Sequence, residues 1–225
     1  TSNPKYPLQL LQQYIQTGET IPLDIIAKTS DYVFRAFANG EPIAKSFINS
    51  FYGQPVVSEG LITINDGAVA KDQITVAQIP KSVTQIGARA FAGFKQLKYV
   101  FIPASVRIIE EQAFAECPQL TFVFIPKQGY LTTIKPRAFY KCPLLDYFTF
   151  PDKIKVVPEH IFEDDSKLSH VDLNKVQTIE KMAFKNCESL SHITFPATLQ
   201  TVESQAFAKT NRNLQVDYKR PKKEI

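Results

Sequence analysis

No run of apolar residues in this chain approaches the length that a membrane-spanning helix requires. Apolar residues make up 44% of the 225, an ordinary share for a globular protein. The cysteines number three, and an odd count argues against a disulfide framework. There is no glycine-rich phosphate loop, no H-E-x-x-H pair and no nucleophile elbow, so the motif-borne routes to enzymatic chemistry are missing. N-x-S/T sequons are absent too. Basic charge is scarce where a nucleic acid would need it. The net charge is +4, and residues 205–225 alone carry six basic and two acidic groups, the whole of that excess. The body of the chain has no basic stripe, so no nucleic-acid partner is expected. The run Lys219-Arg220-Pro221-Lys222-Lys223 could serve as a nuclear-localisation or nucleic-acid patch, but a solvated basic tail over 219–225 explains it more simply. The chain starts Thr-Ser-Asn without an initiator methionine, which leaves localisation open from the residues alone.

What the chain has is a repeat. Ala-Phe pairs recur at Phe91, Phe114, Phe139, Phe184 and Phe207, with Ile-Phe at Phe162 and a degenerate Ala-Val at Val69; the intervals are 22, 23, 25, 23, 22 and 23 residues. Such a period marks a stacked solenoid, because no single repeat can bury its own apolar face. Eight and five residues before each phenylalanine stand pairs such as Val83 and Ile86, Val106 and Ile109, or Val176 and Ile179. Six residues after it comes leucine, at Leu97, Leu120, Leu145, Leu168 and Leu190, with Leu214 one residue late. Three and five residues further on lie Val100 and Ile102, Val123 and Ile125, Phe148 and Phe150, Val171 and Leu173, and Ile193 and Phe195. That alternation reads as a short strand with one buried face. Proline then follows at Pro103, Pro126, Pro151 and Pro196, with no N–H to continue a ladder; only Asn174 breaks the series. Residues 61–80 fit the template more weakly and count as a seventh repeat. The other departures are two extra residues around Gln128-Gly129-Tyr130 and one missing between Leu173 and Phe184.

The consensus V-x-x-I-x-x-x-A-F-x-x-C-x-x-L-x-x-V-x-I-P, standing here as Val106, Ile109, Ala113-Phe114, Cys117, Leu120, Val123 and Ile125-Pro126, resembles the BspA-like leucine-rich-repeat family over residues 61–216. The resemblance implies a mixed α/β solenoid, a right-handed superhelix with one parallel β-sheet. It also implies a surface protein associated with adhesion, although the motif residues are structural and carry no functional site. Cys117, Cys142 and Cys187 all fall three residues after a repeat phenylalanine, where Phe94, Asp165 and Thr210 stand in other rungs. They are therefore expected to be small buried groups rather than a metal or redox site.

Residues 1–60 change period. Leu8, Leu11 and Ile15 fit one short helix; Ile26, Val33 and Phe37 a second after Pro22; Ile43, Phe47 and Phe51 a third after Pro42. Two readings compete: a helical cap over the first rung of a 61–218 solenoid, or an independent binding domain. The absence of a Gly-, Ser- or charge-rich linker before Leu61 favours the cap.

Side chains between the inward positions of each strand point to the other face. Two columns result: Val76, Tyr99, Phe122, Tyr147, His170 and His192, and Gln78, Phe101, Phe124, Thr149, Asp172 and Thr194. With rungs about 4.8 Å apart, Tyr99, Phe101, Phe122, Phe124 and Tyr147 should form one continuous exposed aromatic patch, the candidate partner site. Asp146, His170, Asp172 and His192 would be its polar rim. The competing reading is aromatic pairing that only stabilises the sheet, or cover from the N-terminal helices. His170 and His192 could share a metal with Asp172, but spacing fixes no third ligand. His160 falls in the turn beyond the sheet, where exposure is expected.

Three functions stay in view. The first is a non-catalytic protein-binding module, of surface or adhesion type if the resemblance carries over. Its partner would be a host or cell-surface protein, or a second copy of the chain. The second is an intracellular adaptor or effector with the helical segment as a further binding site. The third, a metal-dependent enzyme at His170 and His192, suffers from the small concavity of an open sheet. No cofactor is expected.

Overall fold

The computed structural model describes residues 63–64, 76–79 and 83–219. The chain divides into two units, Thr1–Pro55 and Val56–Ile225, and all described residues belong to the second. The helices expected over residues 1–60, and the cap they would form, lie outside the described residues. Among the described residues there is no helix, so the mixed α/β solenoid expected from the sequence is a parallel β-solenoid of about six turns there.

One parallel sheet was the expectation; the solenoid has two series of strands. The first contains β2 (Val76–Gln78), β4 (Tyr99–Phe101), β6 (Phe122–Phe124), β8 (Tyr147–Thr149), β10 (His170–Asp172), β12 (His192–Phe195) and β14 (Gln215–Tyr218). The second consists of two-residue strands at the −6 and −5 positions of each repeat: β1 (Thr63–Ile64), β3 (Gln85–Ile86), β5 (Ile108–Ile109), β7 (Thr133–Ile134), β9 (Val156–Val157), β11 (Thr178–Ile179) and β13 (Thr201–Val202). All pairings are parallel and in step with the repeat, as in Tyr99 opposite Phe122 and Ile108 opposite Thr133. The long series is laddered as β2-β4-β6, then β8-β10, then β12-β14. Its first break falls at the rung lengthened by Gln128-Gly129-Tyr130.

The inward positions build the core. Val83, Ile86, Phe91, Leu97, Val100 and Ile102 are all essentially inaccessible, and most of their equivalents in later rungs join or pack on the same cluster, Val202 near the end of the series being exposed. Its spine is a stack of phenylalanines. Ring centroids run 5.1 Å from Phe91 to Phe114, 5.4 Å to Phe139, 6.1 Å to Phe162, 5.6 Å to Phe184 and 5.0 Å to Phe207. Offset stacking at these separations adds to the area each ring buries.

The Ala-Phe arc closes each rung without a helix. Alternate residues donate to the next rung, as with Arg89 N to Glu111 O, Phe91 N to Ala113 O and Gly93 N to Ala115 O; the residues between bond back within their own rung, as with Ala92 N to Arg89 O. This alternation requires left-handed backbone at fixed points, two residues before and two after each phenylalanine. Arg89, Gln112, Arg137, His160, Met182 and Gln205 take the first, and Gly93, Glu116, Lys141, Asp164, Asn186 and Lys209 the second, all with φ between 53° and 73°. A left-handed non-glycine residue costs about 1–2 kcal/mol, and here inter-rung hydrogen bonds hold it in place. Asn174 is explained the same way. Its φ of 49° is closed to proline, and its Nδ2 donates to Phe150 O and Asp152 Oδ1, so the shortened rung still turns.

The cysteines are free and buried. Each thiol donates to the carbonyl of the phenylalanine one rung back: Cys117 to Phe91, Cys142 to Phe114 and Cys187 to Phe162, at 3.1–3.2 Å. Burial pushes the Cys142 and Cys187 thiols well above the usual range. Asp165 occupies the same ladder position. Its Oδ1 accepts from Cys142 N at 2.7 Å, while its Oδ2 is buried with no partner, and burial raises its carboxyl far above the ordinary value.

Candidate binding face

The face opposite the core is built by strand alternation, and the structure divides it in two. Over β4 and β6 it is aromatic. Tyr99 lies 4.7 Å from Phe122, Phe101 stacks on Phe124 at 4.8 Å, and Phe122 meets Phe124 edge-on at 4.4 Å. The expected exposure of this patch is corrected: Phe101, Phe122 and Phe124 are only 4%, 1% and 3% accessible, and Tyr99 is half-buried. The rings pack against one another, and the three phenylalanines are buried outside the main core cluster. Burial also pushes the Tyr99 phenol up.

The expected continuity is corrected as well. Tyr147 belongs to the β8-β10 ladder, across the break from β6, and no ring contact among the described residues reaches it. Its hydroxyl instead accepts from Thr149 Oγ1.

From β8 onward the outer face opens. His170 pairs in register with Tyr147 and Asp172 with Thr149; His192 pairs with Gln215 and Thr194 with Asp217. His170, His192, Gln215 and Asp217 are exposed; Tyr218, though 73% accessible, pairs in register with inward Phe195 and meets its ring at 5.6 Å, so it lies on the other side of the strand. Each polar group has its own local partner. His192 Nε2 lies 2.7 Å from Asp217 Oδ2, His170 Nδ1 lies 2.9 Å from Ser169 Oγ, and Asp172 stands 3.7 Å from Lys127 Nζ. The imidazoles are thus committed separately. Among the described residues no group of three or more His, Cys, Asp or Glu side chains is placed to hold a metal.

Asp146, at the entry to β8, differs from the rest of the rim. Its Oδ1 is buried without a partner, and burial lifts its carboxyl from the ordinary range to about 7, against a smaller pull from Lys167. His160, expected to be exposed, is largely covered. It contacts Glu163 through Nδ1 and Glu159 through Nε2 at 3.1 Å, and Lys185 pairs with Glu163 at 2.9 Å. Sequence reading missed Gln215 and Asp217, because Leu214 stands one residue late and hides the register of β14.

The comparisons agree with this geometry. The BspA type leucine rich repeat region matches in six copies, over residues 44–169 and 84–215. A leucine rich cell surface protein of Faecalibacterium prausnitzii is similar at 30% identity and a TM-score of 0.62, over 73% of this chain and 46% of that one. The chain therefore spans about half the length of that protein. A leucine-rich repeat protein of Bacteroides ovatus is similar at 25% identity and a TM-score of 0.53, over 70% of this chain and 48% of that one. The leucine rich repeat protein of T. pallidum, at 22% identity and a TM-score of 0.54 over 73% of this chain and 82% of its own, shares the fold. No curated protein resembles the chain closely enough to register as a relative. Repeat length, phenylalanine spine and family match coincide: the chain belongs to the BspA-type leucine-rich-repeat family.

Proposed function

We propose that this protein is a non-catalytic protein-binding module of cell-surface type, and that its partner meets the open half of the outer face, over β8, β10, β12 and β14. The observation that carries this reading is the change of character along that face. The aromatic half is already buried, whereas Tyr147 beside His170 and Thr149 beside Asp172 on the β8-β10 ladder, and His192 beside Gln215 and Thr194 beside Asp217 on the β12-β14 ladder, are polar or more open. Tyr147 supplies a ring at one end, the residue type enriched among binding hot spots. The surface placement is supported by the cell-surface description of the F. prausnitzii protein. Tyr99, Phe101, Phe122 and Phe124, on this reading, stiffen the neighbouring rungs and are not themselves contacted.

Immobilised chain exposed to biotinylated cell-surface extract provides the test. Replacing His170, His192 and Gln215 together with alanine should weaken capture of a specific protein at least about tenfold, roughly 1.4 kcal/mol, with no change in melting temperature. Capture that is indifferent to the triple variant would remove this face as the site.

A further inference from the structure

The lengthened rung carries a second feature, away from the sheet. Gln128-Gly129-Tyr130 follows the end of β6, and the loop lies flat on the preceding rung. Tyr130 N donates to Ala104 O at 3.0 Å, and a Cβ on Gly129 would come within 3.3 Å of Ala104 Cα, so glycine is what permits the approach. Held this way, the Tyr130 ring projects outward and is 58% accessible. Two cations from neighbouring rungs converge on it: Lys153 Nζ at 4.8 Å and Arg107 Cζ at 5.8 Å from the ring centre. Neither takes part in an ion pair among the described residues. Ala104, Gln128, Gly129, Tyr130, Asp152 and Lys153 line a cleft of about 360 Å³.

We propose that this cleft binds an anionic sugar, a hydroxyl-rich ring bearing a carboxylate or a sulfate. An exposed ring gives the apolar face of a sugar something to lie against. Lys153, which lines the cleft, exchanges its contact with the ring for a charge-assisted hydrogen bond to the acid group, and Arg107 on the other neighbouring rung adds positive charge. Gln128 can both donate to and accept from hydroxyls, and Asp152 accepts from them; Asp152 Oδ1 already holds Asn174 Nδ2, which leaves Oδ2. The carboxylate in the cleft decides against a pure polyanion or a phosphopeptide, which would meet it as a like charge and offer few hydroxyls. The volume lies at the low end for ligand sites, as suits a small ligand. No residue is shared with the β8–β14 face, so this inference does not depend on the protein-binding reading.

Titration calorimetry on the full chain distinguishes the sources of the anion. The probes are sialyllactose for the carboxylate, a sulfated heparin disaccharide for the sulfate, lactose as the neutral ring, and sodium sulfate and a phosphotyrosine peptide as sugar-free anions. At least one anionic sugar should bind, with lactose and both sugar-free anions at least about tenfold weaker. Tyr130→Ala and Lys153→Ala should each weaken that sugar at least about tenfold, Tyr130→Phe should keep it, and His170→Ala with His192→Ala should leave it unchanged. Absence of binding by both anionic sugars, binding indifferent to Tyr130→Ala, or equal binding of sodium sulfate or the phosphopeptide would overturn the proposal.

Discussion

At the scale of single residues, the solenoid tolerates what a helix or sheet would not. Glu116 is exposed and sits at φ 58°, the place that Gly93 takes one rung earlier. Its side chain packs against little, so backbone conformation should dominate the effect of a substitution. Glu116→Gly should shift stability by no more than about 0.5 kcal/mol, since relief of left-handed strain offsets the entropy of glycine. Glu116→Val should cost at least about 1 kcal/mol, because a β-branched residue is poorly suited to positive φ. Denaturant melts of the two variants check this, and equal stabilities would contradict the conformational account. Asp146 makes a second residue-scale prediction. Its carboxyl is raised to about 7, so the folded state holds the proton more tightly than the unfolded chain. Its contribution is therefore most favourable below the unfolded value near 4 and is lost as pH rises toward 7. Asp146→Asn removes the titration. Because part of the group still meets solvent, the variant should gain on the order of 1 kcal/mol over wild type at pH 8 and differ little at pH 4. A stability difference that is flat across this range would show that Asp146 is not the buried acid described.

At the scale of elements, the phenylalanine stack is the quantity to perturb. Phe114 is inaccessible and stacked on both sides, whereas Phe207 ends the series and is partly buried. Phe114→Ala should cost about 3–5 kcal/mol and Phe207→Ala clearly less. Phe101→Ala should also fall in the range of about 3–5 kcal/mol, because its ring is buried even though it faces away from the core. Equilibrium unfolding of the three variants tests the ranking; a near-neutral Phe101→Ala would mean that the outer aromatic layer is accessible after all. These elements also show what could be read from residues alone. The inward positions were legible because leucine, valine and phenylalanine recur at fixed offsets, and each offset maps to one point of the rung. The short strands β3, β5 and β7 were not, because two residues carry no alternation. Phe122 and Phe124 were assigned to the correct face but not to the correct environment. Alternation fixes the direction of a side chain and is silent on what lies over it.

At the scale of the molecule, the solenoid is a surface with two regions, and its family and repeat register were legible because stacking demands self-similarity. The binding region was only partly so. The sequence places His170, Asp172 and His192 as a rim around an aromatic centre, and with the aromatic rings buried they stand on the open part of the face, joined by Gln215 and Asp217. Hydrogen–deuterium exchange of the chain, free and bound to a cell-surface protein it captures, tests that assignment most directly. Backbone amides of β8, β10, β12 and β14 should exchange more slowly in the complex, while those of β4, β6 and the Ala-Phe arcs stay as they were. Protection confined to β4 and β6, or to the arcs, would contradict it.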